Sequence, residues 1–201
     1  MYTVPDGSHA PMHQLCSKLA ESQARMLRAR AMTDKIALFV VRAVLMPALT
    51  YKMQGHAFNG QEIGKIFQPI MHALKHLCHL PTTFPSSFMH HRLAGKVPRL
   101  ETVHTANNLT ILVRAVNAPS PLSEITLARI AATEHRLCFP GPMLEIPWHV
   151  LQAHLRPPCN GSRRLFIPAL ARALHDRGVT LGTPEYQSVW RNVNALPNPL
   201  Q

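Results

Sequence analysis

Residues 59–77, NGQEIGKIFQPIMHALKHL, decide the fold class. Asn59 can accept from the first free backbone N–H groups of a helix, and Glu62 stands three residues on, where its carboxylate reaches back to complete a capping box. Ile63, Ile66, Phe67, Ile70, Leu74 and Leu77 then recur at steps of three and four residues. That spacing makes one apolar stripe along a helix, and such a stripe requires a core to face. Pro69 lacks an N–H and predicts a kink or a restart within it.

Upstream, residues 15–46 repeat the helical pattern through Leu15, Leu19, Met26, Leu27, Ile36, Phe39, Val40, Ala43 and Val44. Thr33-Asp34 reads as the cap of a second helix, and Pro47 as its stop. Downstream, residues 80–100 hold Pro81, Pro85, Gly95 and Pro98 and cannot form one regular element. Val103, Ala106, Leu109, Val113 and Val116 predict the face of a further helix. Ser120-Pro121 supplies a cap and first-turn proline for one reaching about His135. Past Cys138, prolines 140, 142, 147, 157 and 158 punctuate the chain. A helix follows over 163–176, with Gly178 as its left-handed end, and Thr183-Pro184-Glu185 resembles one more start. Strand alternation is scarce. The expectation is a mainly α chain, a small helical bundle with proline-rich connecting loops. It would comprise a loose tail (1–14), a helical domain (15–137) and a proline-punctuated helical C-terminal extension (138–201).

With 46% apolar residues the 201-residue chain can bury a core. Cys16, Cys78, Cys138 and Cys159 are widely spaced and form no CxxC pair, which suits reduced thiols in an intracellular protein. The N-terminus lacks the basic patch and apolar run of a secretory signal. The most apolar window, residues 36–49, carries Arg42 and Pro47 and falls short of the ~20 residues a bilayer span needs. It reads as a buried helix, and no membrane is expected as a partner.

Twenty-one Lys and Arg against ten Asp and Glu leave a net charge of +11, which favours a polyanionic partner. Lys18, Arg25, Arg28 and Arg30 crowd one helical stretch with Glu21 as the single acid among them. Uncompensated like charge on a helix costs free energy unless phosphates supply the counter-charge. The loop that holds His90-His91-Arg92, Lys96 and Arg99 meets no acid until Glu101. His72 and His76 stand at a zinc-chelating i,i+4 spacing, with Cys78 and His79 beyond. However, Ala73 occupies the place of the catalytic Glu that follows the first His in zinc-protease helices. GxSxG, a Walker loop and a dinucleotide fingerprint are all absent, and the three Asp (Asp6, Asp34, Asp176) are scattered. Neither an enzyme, a cofactor, a resident metal nor a small-molecule substrate is expected.

The order of several segments resembles the region just after the polymerase core of non-LTR (LINE-type) retrotransposon reverse transcriptases. Leu45-Met46-Pro47-Ala48-Leu49-Thr50-Tyr51 resembles the family's Leu-x-Pro-x-Leu-x-Tyr helix end. The long apolar helix of 59–79 follows, then Leu80-Pro81 and the segment through Met89. Leu93 to Leu100 takes the place of a Gly-Gly-Leu-Gly-like turn, with the glycine pair reduced to Gly95. Leu112, Arg114 and Asn117 stand in family-like positions. The resemblance spans roughly 35–182 and weakens past 135. The family's Tyr/Phe-x-Asp-Asp metal-binding turn, palm and fingers have no counterpart in these residues. Two-metal nucleotidyl transfer needs clustered carboxylates, so the resemblance implies a thumb and post-polymerase portion that cannot polymerise alone. It implies that 15–137 is thumb-like and grips an RNA, DNA or hybrid backbone through Arg25, Arg28, Arg42 and Lys52, with Arg92, Lys96 and Arg99 from the loop. Arg42 could instead pair structurally with Glu62 or Asp34. Three alternatives stand beside this reading: a stand-alone basic helical module that docks an acidic protein, a zinc-stabilised module built on His72 and His76, and an element remnant with inherited charge.

Overall fold

A computed structural model of the chain describes residues 10–30, 32–56, 58–91, 96–119, 121–136 and 166–175. The regular elements among them are all helical. In chain order they are α1 (Ala10–Ala29), α2 (Asp34–Val40), a π-helical turn (Val41–Leu45), α3 (Met46–Met53), α4 (Gly60–Leu77), α5 (Ser86–Met89), α6 (Leu100–Val116), α7 (Leu122–Arg136) and α8 (Phe166–His175). The expected mainly α class is therefore the observed one. Ser120, Cys138, Cys159, Gly178 and the start at Thr183 lie outside the described residues. The chain divides into two compact units, Met1–Asn108 and Leu109–Gln201, with the boundary inside α6 and inside the stretch expected to be one domain.

The first unit is organised around α4. Asn59 Oδ1 accepts from the Glu62 N–H at 2.8 Å, and Glu62 Oε2 accepts from the Asn59 N–H at 2.9 Å, a complete capping box. Ile63, Ile66, Phe67, Ile70, Met71, Ala73 and Leu74 are buried. α4 runs through Pro69 without interruption, because the residues on either side are held in the core. α1 packs along α4, α2 also rests on α4, and α3 rests on α1. α1 begins at Ala10, within the stretch expected to be a tail. Pro11 suits a first helical turn, and Met12 packs against the core.

α4 ends in a Schellman motif: the Leu80 N–H reaches the Lys75 carbonyl at 2.9 Å and the His79 N–H the His76 carbonyl at 3.1 Å. His79, at the position glycine usually takes, has φ 55°. It is thus outside the helix rather than on the side that carries His72 and His76. An L-residue in this conformation costs about 1 kcal/mol. Replacing His79 with glycine is expected to raise unfolding stability by about that amount, measured by urea titration.

Residues 34–53 form one continuous helical run of 20 residues, capped by Thr33 Oγ1 on the Ile36 N–H. Pro47 does not stop it. The Met46 N–H bonds to the Val41 carbonyl five residues back, and Pro47 sits in the first turn of α3, where its missing donor matters least. The π turn also rotates the faces. Ala37, Val41, Leu45, Met46, Leu49, Thr50 and Met53 are buried, whereas Ile36, Phe39, Val44 and Tyr51 are exposed, Phe39 by 65%. The expected buried helix is therefore buried on one side only. By length and composition alone the run is long and apolar enough to cross a membrane, yet its inner face belongs to the core.

α6 departs further from expectation. Its inward positions are Leu100, His104, Thr105, Asn108, Leu112 and Val116, while Ala106 and Val113 face solvent. Polar residues occupy its centre because they close the turn after α3. Asn108 Oδ1 accepts from the Gly55 N–H at 3.2 Å, and its Nδ2 donates to the His56 carbonyl at 3.3 Å and lies 3.1 Å from His104 Nε2. Gly55 has φ 73°, a conformation that glycine adopts freely. Asn108→Ala would strand these buried groups, and a loss of about 1–3 kcal/mol is expected in thermal or chemical unfolding.

In the second unit Leu112, Val116, Ile130, Leu170, Ala171 and Leu174 form a separate small core. Ser123 Oγ donates to the Val116 carbonyl at 2.6 Å and fixes the turn between α6 and α7.

Candidate nucleic-acid interface

The inward residues of α1 are Cys16, Ala20, Gln23, Ala24 and Leu27. At 3.6 residues per turn, Lys18 and Arg25 fall on the opposite, solvent side and Arg28 on its flank, over a length of about 15 Å. Arg25 and Arg28 are exposed, as are Arg42 in the π turn and Lys52 in the last turn of α3. The structural pairing considered for Arg42 does not form. Glu62 is engaged in the α4 capping box, and Asp34 Oδ1 accepts from the Lys35 N–H at 2.8 Å. None of Arg25, Arg28, Arg42, Lys52, Lys96 and Arg99 enters an ion pair among the described residues.

The structure draws Lys96 and Arg99 together. They line an open pocket of about 670 Å³ with Ser87, His90, His91, Val97 and Pro98. Arg92 lies outside the described residues. The pocket's wall is fixed by the backbone: the Val97 N–H bonds to the Met89 carbonyl at 3.0 Å, and the Lys96 N–H to the His91 carbonyl at 3.2 Å. His90 Nδ1 donates to the Val97 carbonyl at 2.7 Å. Met89 and Val97, both buried, anchor this closure in the core. Lys96 is held at φ 50°, a region that non-glycine residues seldom occupy. None of the seven lining residues is acidic.

Sequence reasoning identified the cations but not that His90 and His91 share a pocket with two of them. That arrangement depends on the Met89–Val97 closure. Arg25 and Arg28 on α1, and Arg42 and Lys52 on the 34–53 run, are not part of the pocket. His72 is half-buried and His76 exposed, and among the described residues no group of three or more His, Cys, Asp or Glu could hold a metal ion. The zinc-stabilised alternative thus finds no third ligand there.

The two described cysteines are free. Burial pushes the Cys16 thiol up, with Lys52 pulling weakly the other way. Burial raises Cys78 as well, and Asp34 adds to it. A thiol whose pKa is raised in the native state keeps a proton that the unfolded chain releases, so stability is present at lower pH and falls as pH climbs above about 9. A thermal midpoint that declines there, and declines less in Cys16→Ala, is the expected result.

Compared with models of protein families, with curated proteins and with solved structures, the chain matches none.

Proposed function

We propose that this chain is a non-catalytic nucleic-acid-binding protein that grips the sugar–phosphate backbone of RNA, DNA or their hybrid, in the manner of a reverse-transcriptase thumb. The observation that carries the reading is a set of exposed cations with no carboxylate partner among the described residues: Arg25 and Arg28 along one face of α1, and Lys96 and Arg99 around one pocket whose described lining holds no acid. Arg42 and Lys52 extend the charged surface. Such groups neutralise phosphates, release counterions and hold a strand in register without reading its bases. The chain's role is to position the strand, and bond-making chemistry is assigned elsewhere.

The test is binding of the full chain to two RNA–DNA hybrids of unrelated sequence. Similar affinity for both, lost on addition of any polyanion, is expected. One observation favours a second reading, the protein-docking module: Ile36, Phe39, Val44 and Tyr51 leave apolar surface in water on the 34–53 run. That reading predicts a protein partner whose binding survives an excess of polyanion.

A further inference from the structure

We infer that the pocket at Lys96 and Arg99 receives the terminal phosphate of a nucleic-acid strand, a phosphate monoester, rather than a phosphate inside the chain. The inference rests on the backbone-binding reading and refines it. Phosphates within a duplex lie along a convex surface, each flanked by sugars and carrying one charge. The exposed outer face of α1, with Arg25 and Arg28 along it, suits that shape. The pocket has the opposite shape: it is concave, and its volume of about 670 Å³ is in the range that holds a small ligand rather than the side of a helix.

Its lining also matches a monoester. A terminal phosphate carries about −1.5 to −2 charge near neutral pH and presents three acceptor oxygens. Lys96 supplies a compact ammonium, and Arg99 a guanidinium able to bind two oxygens at once. Ser87, His90 and His91 add a hydroxyl and two imidazoles to the same wall, and among the described residues no carboxylate lines it to compete. Pro98, exposed on the same wall, gives the pocket an apolar side against which the terminal sugar can rest. Lys96 is held in its rare left-handed conformation by the Lys96–His91 and Val97–Met89 backbone bonds, so the backbone that carries the cation to the pocket is set before a ligand arrives.

The experiment measures binding of the full chain to one oligonucleotide duplex bearing 5′-phosphate, 3′-phosphate or only hydroxyl ends, with the matching nucleoside monophosphate as a separate ligand. At least one phosphorylated end is expected to bind about tenfold or more tightly than the hydroxyl form, as charged hydrogen bonds of this kind provide. Lys96→Gly, which suits the left-handed backbone and removes the charge, and Arg99→Ala should each shrink that preference while leaving salt-dependent binding to the hydroxyl form. Equal affinity for all ends, with salt-dependent binding intact, overturns the terminal-phosphate inference and leaves the backbone grip standing. Affinity for the free monophosphate equal to that for the phosphorylated strand overturns it too, by assigning the pocket to a nucleotide. No binding to any strand overturns both readings.

Discussion

Truncating Leu74 to alanine is expected to destabilise the first unit by about 2–5 kcal/mol, the range seen when a fully buried leucine leaves a cavity. Leu74 has no solvent exposure and lies on the α4 face packed by α1 and α2. Its neighbours Ile66 and Ile70 are equally enclosed, so the space left cannot collapse cheaply. Phe39→Ala, at a larger but 65% exposed side chain, should change stability by only about 0.5 kcal/mol. Urea unfolding of the two variants side by side checks the assignment of faces. Similar losses would mean that Phe39 does not lie on the outer face of the 34–53 run.

The contrast shows what was legible beforehand. α4 could be read directly, because its stripe, its capping pair and its length agree with one another. The 34–53 run could not. The expected apolar steps at Ile36, Phe39, Ala43 and Val44 follow an uninterrupted helical period, whereas the buried face runs through Ala37, Val41, Leu45 and Met46 across a turn that holds one extra residue. On α6, Val103, Leu109 and Val116 pack inward as the periodicity predicts, while Ala106 and Val113 do not. Apolar periodicity carries no signal for a face that buries Asn108, with His104 beside it, to close a turn some fifty residues away. The Schellman ending at His79 was hidden because histidine stands where glycine usually marks the end. For the site, the absence of nearby acids around Lys96 and Arg99 was plain in the sequence. Their convergence with His90 and His91 was not, since it depends on a loop closure anchored by two buried side chains.

The second large effect concerns binding. If Arg25, Arg28, Arg42 and Lys52 each neutralise a phosphate along the strand and Lys96 with Arg99 holds one terminal phosphate, log affinity for a phosphate-ended hybrid should fall with log salt at a slope of about −4.5. Raising monovalent salt from about 50 to 200 mM would then weaken binding by several hundredfold. The side chains are exposed and in no ion pair among the described residues, so replacing Arg25, Arg28, Lys96 and Arg99 with alanine should change stability little. It should remove most of the slope, since each lost phosphate contact lowers it by about one.

The most direct test is therefore the salt dependence of binding to a phosphate-ended hybrid for the native chain and for the variant with Arg25, Arg28, Lys96 and Arg99 replaced by alanine. The account predicts a steep native slope that flattens by about 2.7 in the variant, with both proteins equally folded. A native affinity indifferent to salt, or an identical slope in the two proteins, would contradict it.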